Sequence, residues 1–544
     1  MNSVLCGWVL AVCAGLSVVG AVRADDAARY DIWEYQIENN TVLSDTDIEH
    51  ALYSFLGADK SFTDVDAARA ALEARYRDAG YPTVLVDIPE QEVNEGVVRL
   101  HVIEGRIELL SVTGAEYFSA NQIRRQVPSL AEGSVPQLAA MQLDLGKLNM
   151  ATADRRVTPV LRPGKVLGRM EVELKVKDKL PLHGSVGIDD RYSANTSRLR
   201  MNVGMHYDNL WQRGHSLSLQ FQTAPQAPAE VQVWSASYSM DLPFEGHTLV
   251  AYGARTRSNV AVVDSLTVIG NGSVTGLRDI VRLNGVDSTM RTLSLGADYK
   301  NFEEDIHLAS LSTPATTPIG YAHFSVNYQQ NMQSEIGLTR FNFGPGFAIR
   351  DPSRADYACE RVEAGKVVMD KNESDQFACK RADARANYFY LRGEGNQLVS
   401  LPQGFAANAA LAGQWTDQPL IGNEEFSLGG VDTVRGYTES AFMGDYGVRA
   451  SLELRSPSYS ESLALPPKFG EARWLAFVDA GAAWLRLPLD GQDRRQGLAS
   501  VGAGLRLGAQ ATWSASLDLA VALREVGQIS AGSARLHGMV KYEF

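Results

Sequence analysis

Two rhythms divide the chain near residue 180. Beyond it, apolar and polar positions alternate with period two almost without a break; before it, helical and strand spacings are mixed. Along 215–223, Leu217, Leu219 and Phe221 fall on one side and Ser216, Ser218, Gln220 and Gln222 on the other. Along 446–455, Val448, Ala450, Leu452 and Leu454 oppose Arg449, Ser451, Glu453 and Arg455. This is the period of an extended strand with one apolar and one wet face, and no helix produces it. Roughly sixteen such segments succeed one another, more than a soluble β-sandwich needs. They predict a transmembrane β-barrel of about 16 antiparallel strands over 181–544, with apolar side chains toward lipid and polar ones toward the lumen. The connectors alternate too. Short ones (209–214, 241–245, 284–286, 332–334, 509–511) interleave with long ones (258–271, 302–315, 350–384, 417–445), as in barrels with turns on one side and loops on the other. The connector 458–470 departs from this, being long where a short turn is expected.

Before residue 181 a different pattern occurs twice. Residues 31–42 read as a strand and 44–56 as a helix opened by Ser44 as N-cap. A second helix at 63–79 carries Val65, Ala68, Leu72 and Tyr76 at helical spacing and stops at Gly80 and Pro82. Strands at 83–89 and 97–104 follow. The order then recurs: strand 107–113, short helix 119–127, and helix 136–149 with Leu138, Met141, Leu145 and Leu148 on one face. Strands 156–161 and 167–177 close it, joined by the turn Arg162-Pro163-Gly164-Lys165. Two α+β units of order β-α-α-β-β are expected, at 25–106 and 107–180.

Residues 1–24 read as a secretory signal: an apolar stretch from Val4 to Val22, then Val22-Arg23-Ala24 as a small-x-small cleavage pattern before Asp25. No other stretch approaches the ~20 apolar residues of a helical span, so a membrane would be crossed by strands. The net charge, 51 − 64 = −13, offers no basic face, and no nucleic-acid partner is expected. Cys6 and Cys13 fall within the signal. The remaining pair, Cys359 and Cys379, predicts in an exported chain one disulfide that closes the 350–384 connector; loop-closure entropy for that length is worth ~3 kcal/mol. The nine His are scattered without ligand spacing, so no metal site is predicted. No convergent Ser/His/Asp or carboxylate set predicts catalytic residues or an enzyme, and no Gly-Lys-Ser/Thr phosphate loop or other cofactor motif is present.

Three motifs in the second half carry more. The 417–445 connector holds Phe426-Ser427-Leu428-Gly429-Gly430 followed by Val434-Arg435-Gly436-Tyr437. The strand at 471–485 holds Phe477-Val478-Asp479-Ala480-Gly481. In the last strand Leu536, Gly538, Val540, Tyr542 and Phe544 alternate up to an aromatic, resembling the C-terminal signal by which outer-membrane barrels are recognised for insertion. With the tandem units, which resemble POTRA domains, these features resemble the Omp85 superfamily. Within it the chain is most similar to the two-partner secretion transporters, the haemolysin- and filamentous-haemagglutinin-exporting family. The resemblance implies a Gram-negative outer membrane with the POTRA domains in the periplasm. It implies one large secreted exoprotein as partner, export through the barrel pore after capture by the POTRA domains, and insertion into lipid by the barrel-assembly machinery through Tyr542 and Phe544. A monomer is expected.

The resemblance also implies that the 417–445 loop folds back into the lumen and that Arg435 meets Asp479. Strand parity supports the second residue independently: a carboxylate on the lipid side would be costly, so Asp479 belongs inside with Phe477. Gly429, Gly430 and Gly436 would let the loop bend, Val434 and Tyr437 would pack, and Gly481 completes the wall motif. The lumen is expected to be wet, which would put the pair at the low end of the ~0–5 kcal/mol span of ion pairs. The first strand begins about six residues after the cleavage pattern, leaving no room for the pore-plugging helix of some family members, so either the 417–445 loop alone would close the resting pore or that pore would be leakier. The alternative is an Omp85-type assembly factor that inserts other barrels by templating strands at the seam between its first and last strands.

Overall fold

The computed structural model describes residues 29–544 except 94, 195, 259, 264–265, 270, 284–288, 304, 307–314, 317, 351–358, 364–365, 371–374, 463–469, 490–491 and 510–511. The signal at 1–24 lies outside the described residues. The chain divides into two compact units between Leu180 and Pro181.

The first unit contains two three-stranded sheets of the same connectivity. In one, β2 (Glu34–Glu38) pairs parallel with β5 (Val97–Ile103), which pairs antiparallel with β4 (Leu85–Asp87). In the other, β6 (Arg106–Thr113) is parallel to β8 (Arg169–Asp178), and β7 (Arg155–Pro163) is antiparallel to it. Helices α1 (Asp45–Leu52) and α2 (Phe62–Asp78) belong to the first half, α3 (Ala120–Arg125) and α4 (Leu138–Met150) to the second. Ser44 caps α1 by accepting from Asp47 N–H, and Ser61 with Asp64 forms a capping box that starts α2. Leu72, Tyr76 and Leu100 are buried in the first core, Ile107, Ile123 and Leu174 in the second.

Two details depart from the pattern reading. The strand β1 (Arg29–Ile32) pairs with β3 (Gly57–Ser61), and β3 was invisible because Gly-Ala-Asp-Lys-Ser has no apolar alternation. Helix α4 starts at Leu138, which is 41% exposed in its first turn, so the buried face is Leu145 and Leu148.

The second unit is a closed antiparallel barrel of 16 strands, the fold expected from the alternation. It starts with β9 (Leu182–Asp189) and β10 (Arg200–Leu210) and ends with Ala534–Glu543, which pairs back onto β9. Leu277, Leu452, Leu519 and Leu536 are exposed on the outer wall, while Asp298, Asp479 and Asp518 are buried on the inner one. No helix among the described residues is long and apolar enough to cross a membrane.

The seam is the short joint of this wall. Its register runs only from Asp189↔Met539 to Ser185↔Glu543, whereas Glu471–Trp484 pairs with its neighbour from Glu471↔Gly508 to Trp484↔Arg495. One residue further, Gly184 and Phe544 exchange backbone hydrogen bonds at 2.9 Å each. The Phe544 ring lies over Gly184, where a Cβ would come within 2.2 Å of it, and stacks on Tyr542.

Candidate functional site

The connector between strands Ala406–Thr416 and Tyr446–Arg455 turns inward. A short hairpin, Phe426–Leu428 with Phe442–Gly444, holds its two limbs together. Gly429 and Gly430 then take φ of +100° and +114°. A Cβ at Gly430 would stand 2.2 Å from the Glu439 carboxylate, which accepts Val431 N–H at 3.1 Å. Only glycine tolerates both the dihedral and the approach. The resulting tip carries Val434, Arg435, Gly436 and Tyr437, all buried. Asp479 lies five residues in from Trp484 at the long-loop end of its strand, so the tip reaches ~17 Å along the wall at ~3.4 Å per residue.

Arg435 is the most connected side chain of the tip. Its Nε and Nη2 donate to Asp479 Oδ2 and Oδ1 at 2.7 and 2.8 Å, a two-pronged pair. Its backbone N–H donates to the same carboxylate at 3.1 Å, and Nη1 donates to Glu453 at 2.8 Å. Ser451 Oγ donates to Asp479 Oδ1 at 2.6 Å. The guanidinium sits 3.4 Å from the Phe477 ring centroid, a cation–π contact. Gly481 stands on the same inward face, where a Cβ would meet Leu428 of the hairpin at 2.8 Å.

The expectation of a wet pair is corrected here. The Arg435 and Asp479 side chains are 5% and 1% exposed. On one side of the pair, Val434 and Tyr437 pack with Leu428, Leu498, Ala522 and Val526. Tyr437 is wholly buried, with its hydroxyl 2.9 Å from both the Ala499 and Arg524 carbonyls. Gly436 N–H donates to His537 Nε2 at 3.0 Å, so that nitrogen is the acceptor and Nδ1 faces Asp190 at 3.2 Å as donor. The seat borders a cavity of about 600 Å³ whose lining includes Arg435 and Asp479 themselves, together with Asp190, Arg191, Glu453, Arg506 and Asp518.

A family model, "Haemolysin secretion/activation protein ShlB/FhaC/HecB", matches residues 168–507. The chain belongs to this family. A second model, "POTRA domain, ShlB-type", matches residues 30–105. Among similar proteins, the outer membrane transporter CdiB of Dickeya dadantii is 22% identical over 477 residues, 85% of this chain and 78% of the relative. The solved CdiB from Escherichia coli superposes with a TM-score of 0.58 at 20% identity over 96% of this chain and 92% of that one. BamA from Haemophilus ducreyi, lacking its POTRA domains 1–3, superposes with a TM-score of 0.54 at 17% identity over 95% and 100%; both likenesses show the fold. As a ShlB/FhaC/HecB family member, the chain is an outer-membrane transporter of two-partner secretion, with its POTRA region in the periplasm. The short turns are therefore periplasmic, together with the longer 456–470 connector, and the other long connectors extracellular.

A second group of residues ties the long connectors to one another, and no sequence signal pointed to it. Arg381, next to the short helix Gln376–Lys380, reaches Asp445 with two bonds of 2.6 and 2.8 Å and also contacts Glu425. Asp445 is fully buried and accepts Leu420 N–H and Arg486 N–H, at 2.6 Å each. Phe377, Leu420 and Ile421 pack beneath this knot. Glu424 accepts from Lys300 Nζ at 2.5 Å and Tyr321 hydroxyl at 2.6 Å. Burial alone would raise its pKa, but Lys300, His323 and Arg392 hold it down at about 2. Cys379 is disulfide-bonded; the side chain of Cys359 lies outside the described residues.

Proposed function

We propose that this protein exports one large partner protein by threading it, unfolded, through the barrel lumen, and that the 417–445 loop is the internal gate. The observation that carries this reading is the dry, two-pronged Arg435–Asp479 seat, which holds a long extracellular connector deep inside a polar-lined cylinder. The tip is held at the wall by side-chain and backbone hydrogen bonds centred on Arg435, with Gly436 on His537 and the Tyr437 hydroxyl on the Ala499 and Arg524 carbonyls, and it can leave as a unit when those contacts are replaced. The family's CdiB relative is named an outer membrane transporter, in keeping with passage across that membrane.

Capture takes place on the POTRA sheets. Each three-stranded sheet has an edge whose backbone groups can pair with an extended, β-prone segment, a mode that tolerates many sequences. No nucleotide loop occurs in the chain, so folding of the cargo outside, at ~5–15 kcal/mol per domain, supplies direction. The barrel works as a monomer, and the barrel-assembly machinery inserts it through the strand ending in Tyr542 and Phe544. The disulfide of Cys379 is formed with Cys359 and fastens the extracellular connector.

The short seam supports a second reading, templating of foreign strands between β9 and Ala534–Glu543. A disulfide engineered at the register partners Ile188 and Val540 separates the two. Export that continues with the seam locked supports the lumen route; export that stops, and returns on reduction, supports the seam.

A further inference from the structure

The register of the first two barrel strands brings together three metal-binding side chains that are far apart in the sequence. His206 of β10 stands directly opposite His183 of β9. Their rings are stacked, with centroids 4.6 Å apart and planes at 22°. Asp208 is two residues beyond His206 and so shares its face, with its Oδ2 3.6 Å from His206 Nε2. The donor atoms of all three lie within 4.8 Å of one another, and among the described residues no other group of three His, Cys, Asp or Glu does so. This face is the inner wall: on β9, Leu182, Val186 and Ile188 are exposed outward while Asp189 shares the parity of His183 and is buried. The start of β9 lies beside the end of β10, which runs into the periplasmic turn 211–214, and the three residues are half-buried to exposed, so an ion can reach them.

We propose that His183, His206 and Asp208 bind a divalent transition-metal ion of the Zn²⁺ class at the periplasmic mouth of the lumen. Tetrahedral Zn²⁺ takes nitrogen and oxygen donors at ~2.0–2.2 Å, which places them about 3.4 Å from one another. The His206–Asp208 pair is already near that spacing, and the remaining donor atoms lie within 4.8 Å. Two imidazoles and a carboxylate suit Zn²⁺ or Cu²⁺ and not Ca²⁺ or Mg²⁺, which favour all-oxygen sets. Ser216, on the strand His215–Thr223, donates to Asp208 and orients its carboxylate, as second partners of metal ligands do. Elsewhere a barrel histidine meets a single carboxylate, as His247 meets Asp279 at 2.9 Å, and that is an ordinary hydrogen bond. The ion would tie β10 to the part of β9 that lies below the paired seam, steadying the strand that closes the barrel.

The test uses full-length, tag-free protein in detergent, with Zn²⁺ alone in calorimetry and Cu²⁺ alone in electron paramagnetic resonance. One equivalent of Zn²⁺ binds, and the Cu²⁺ spectrum shows two nitrogen ligands. His183→Gln or His206→Gln removes one nitrogen and weakens Zn²⁺ by at least about tenfold, with Ser216→Ala giving a smaller loss; His247→Gln changes neither. Heat-dependent gel mobility checks that each variant is a folded barrel, and Asp208→Asn serves in place of any that is not. Absence of saturable Zn²⁺ binding, or binding kept by the His183→Gln/His206→Gln double variant, overturns the proposal.

Discussion

Arg435→Ala removes the guanidinium and leaves Asp479 with only Ser451 Oγ and the residue-435 backbone N–H as donors. Breaking one side of a dry ion pair costs ~3–5 kcal/mol, because the remaining charge stays buried without its partner. The 600 Å³ cavity beside the seat admits water to the vacated space, which points to the lower end, ~3 kcal/mol. At ~1.4 kcal/mol per factor of ten, the ratio of seated to withdrawn loop falls about a hundredfold. Glu453 loses one cation but keeps Arg455 at 2.7 Å, so it adds little. The barrel wall itself is untouched, since its backbone ladder involves none of these side chains. The expected result is a barrel with normal heat-dependent gel mobility, more frequent openings in planar bilayers, and loss of the partner protein from the medium. Asp479→Ala reproduces it, and the double variant is no worse than either single one, giving a coupling energy of ~2–3 kcal/mol in a double-mutant cycle. Wild-type conductance with normal secretion in Arg435→Ala would refute the gate. A failure of the variant to form a barrel would instead make the pair a strut of the fold.

Three other perturbations probe the same loop. Gly430→Ala combines a φ of +114° with a Cβ overlapping the Glu439 carboxylate, so it should unseat the tip by ~1–3 kcal/mol and raise channel openings, whereas Gly422→Ala, with nothing within 4 Å, should not. Arg381→Ala leaves Asp445 buried without its cation, so the extracellular cap should become sensitive to external protease near 376–388 while Arg435 stays seated. Burial pushes Glu439 up to about 7; the Val431 N–H bond and Arg191 oppose the rise, and Asp432 and Asp189 add to it. A withdrawn loop returns Glu439 to ~4.3, so proton binding favours the seated form. That advantage is complete at low pH and is lost as pH rises toward 7. Openings should therefore be rarer at pH 5.5 than at pH 8, and Glu439→Gln should flatten the difference.

What the sequence determined by itself is what local spacing encodes. Period two along each strand decides which side chains face lipid, since successive Cβ atoms must point to opposite sides; that alone identified the barrel and put Asp479 inside. Helical spacing with its stops made the tandem β-α-α-β-β order legible, because caps and turns act over a few residues. The rest depends on contacts between segments distant in the chain. The burial of the Arg435–Asp479 pair comes from a loop tip and three wall residues, Ser451, Glu453 and Phe477, meeting around it, and the Arg381–Asp445 knot joins two connectors whose composition is unremarkable. The meeting of His183 with His206 follows from a strand register, and register is set by the whole sheet, so a shift of one residue would have sent one imidazole to lipid and left the other alone.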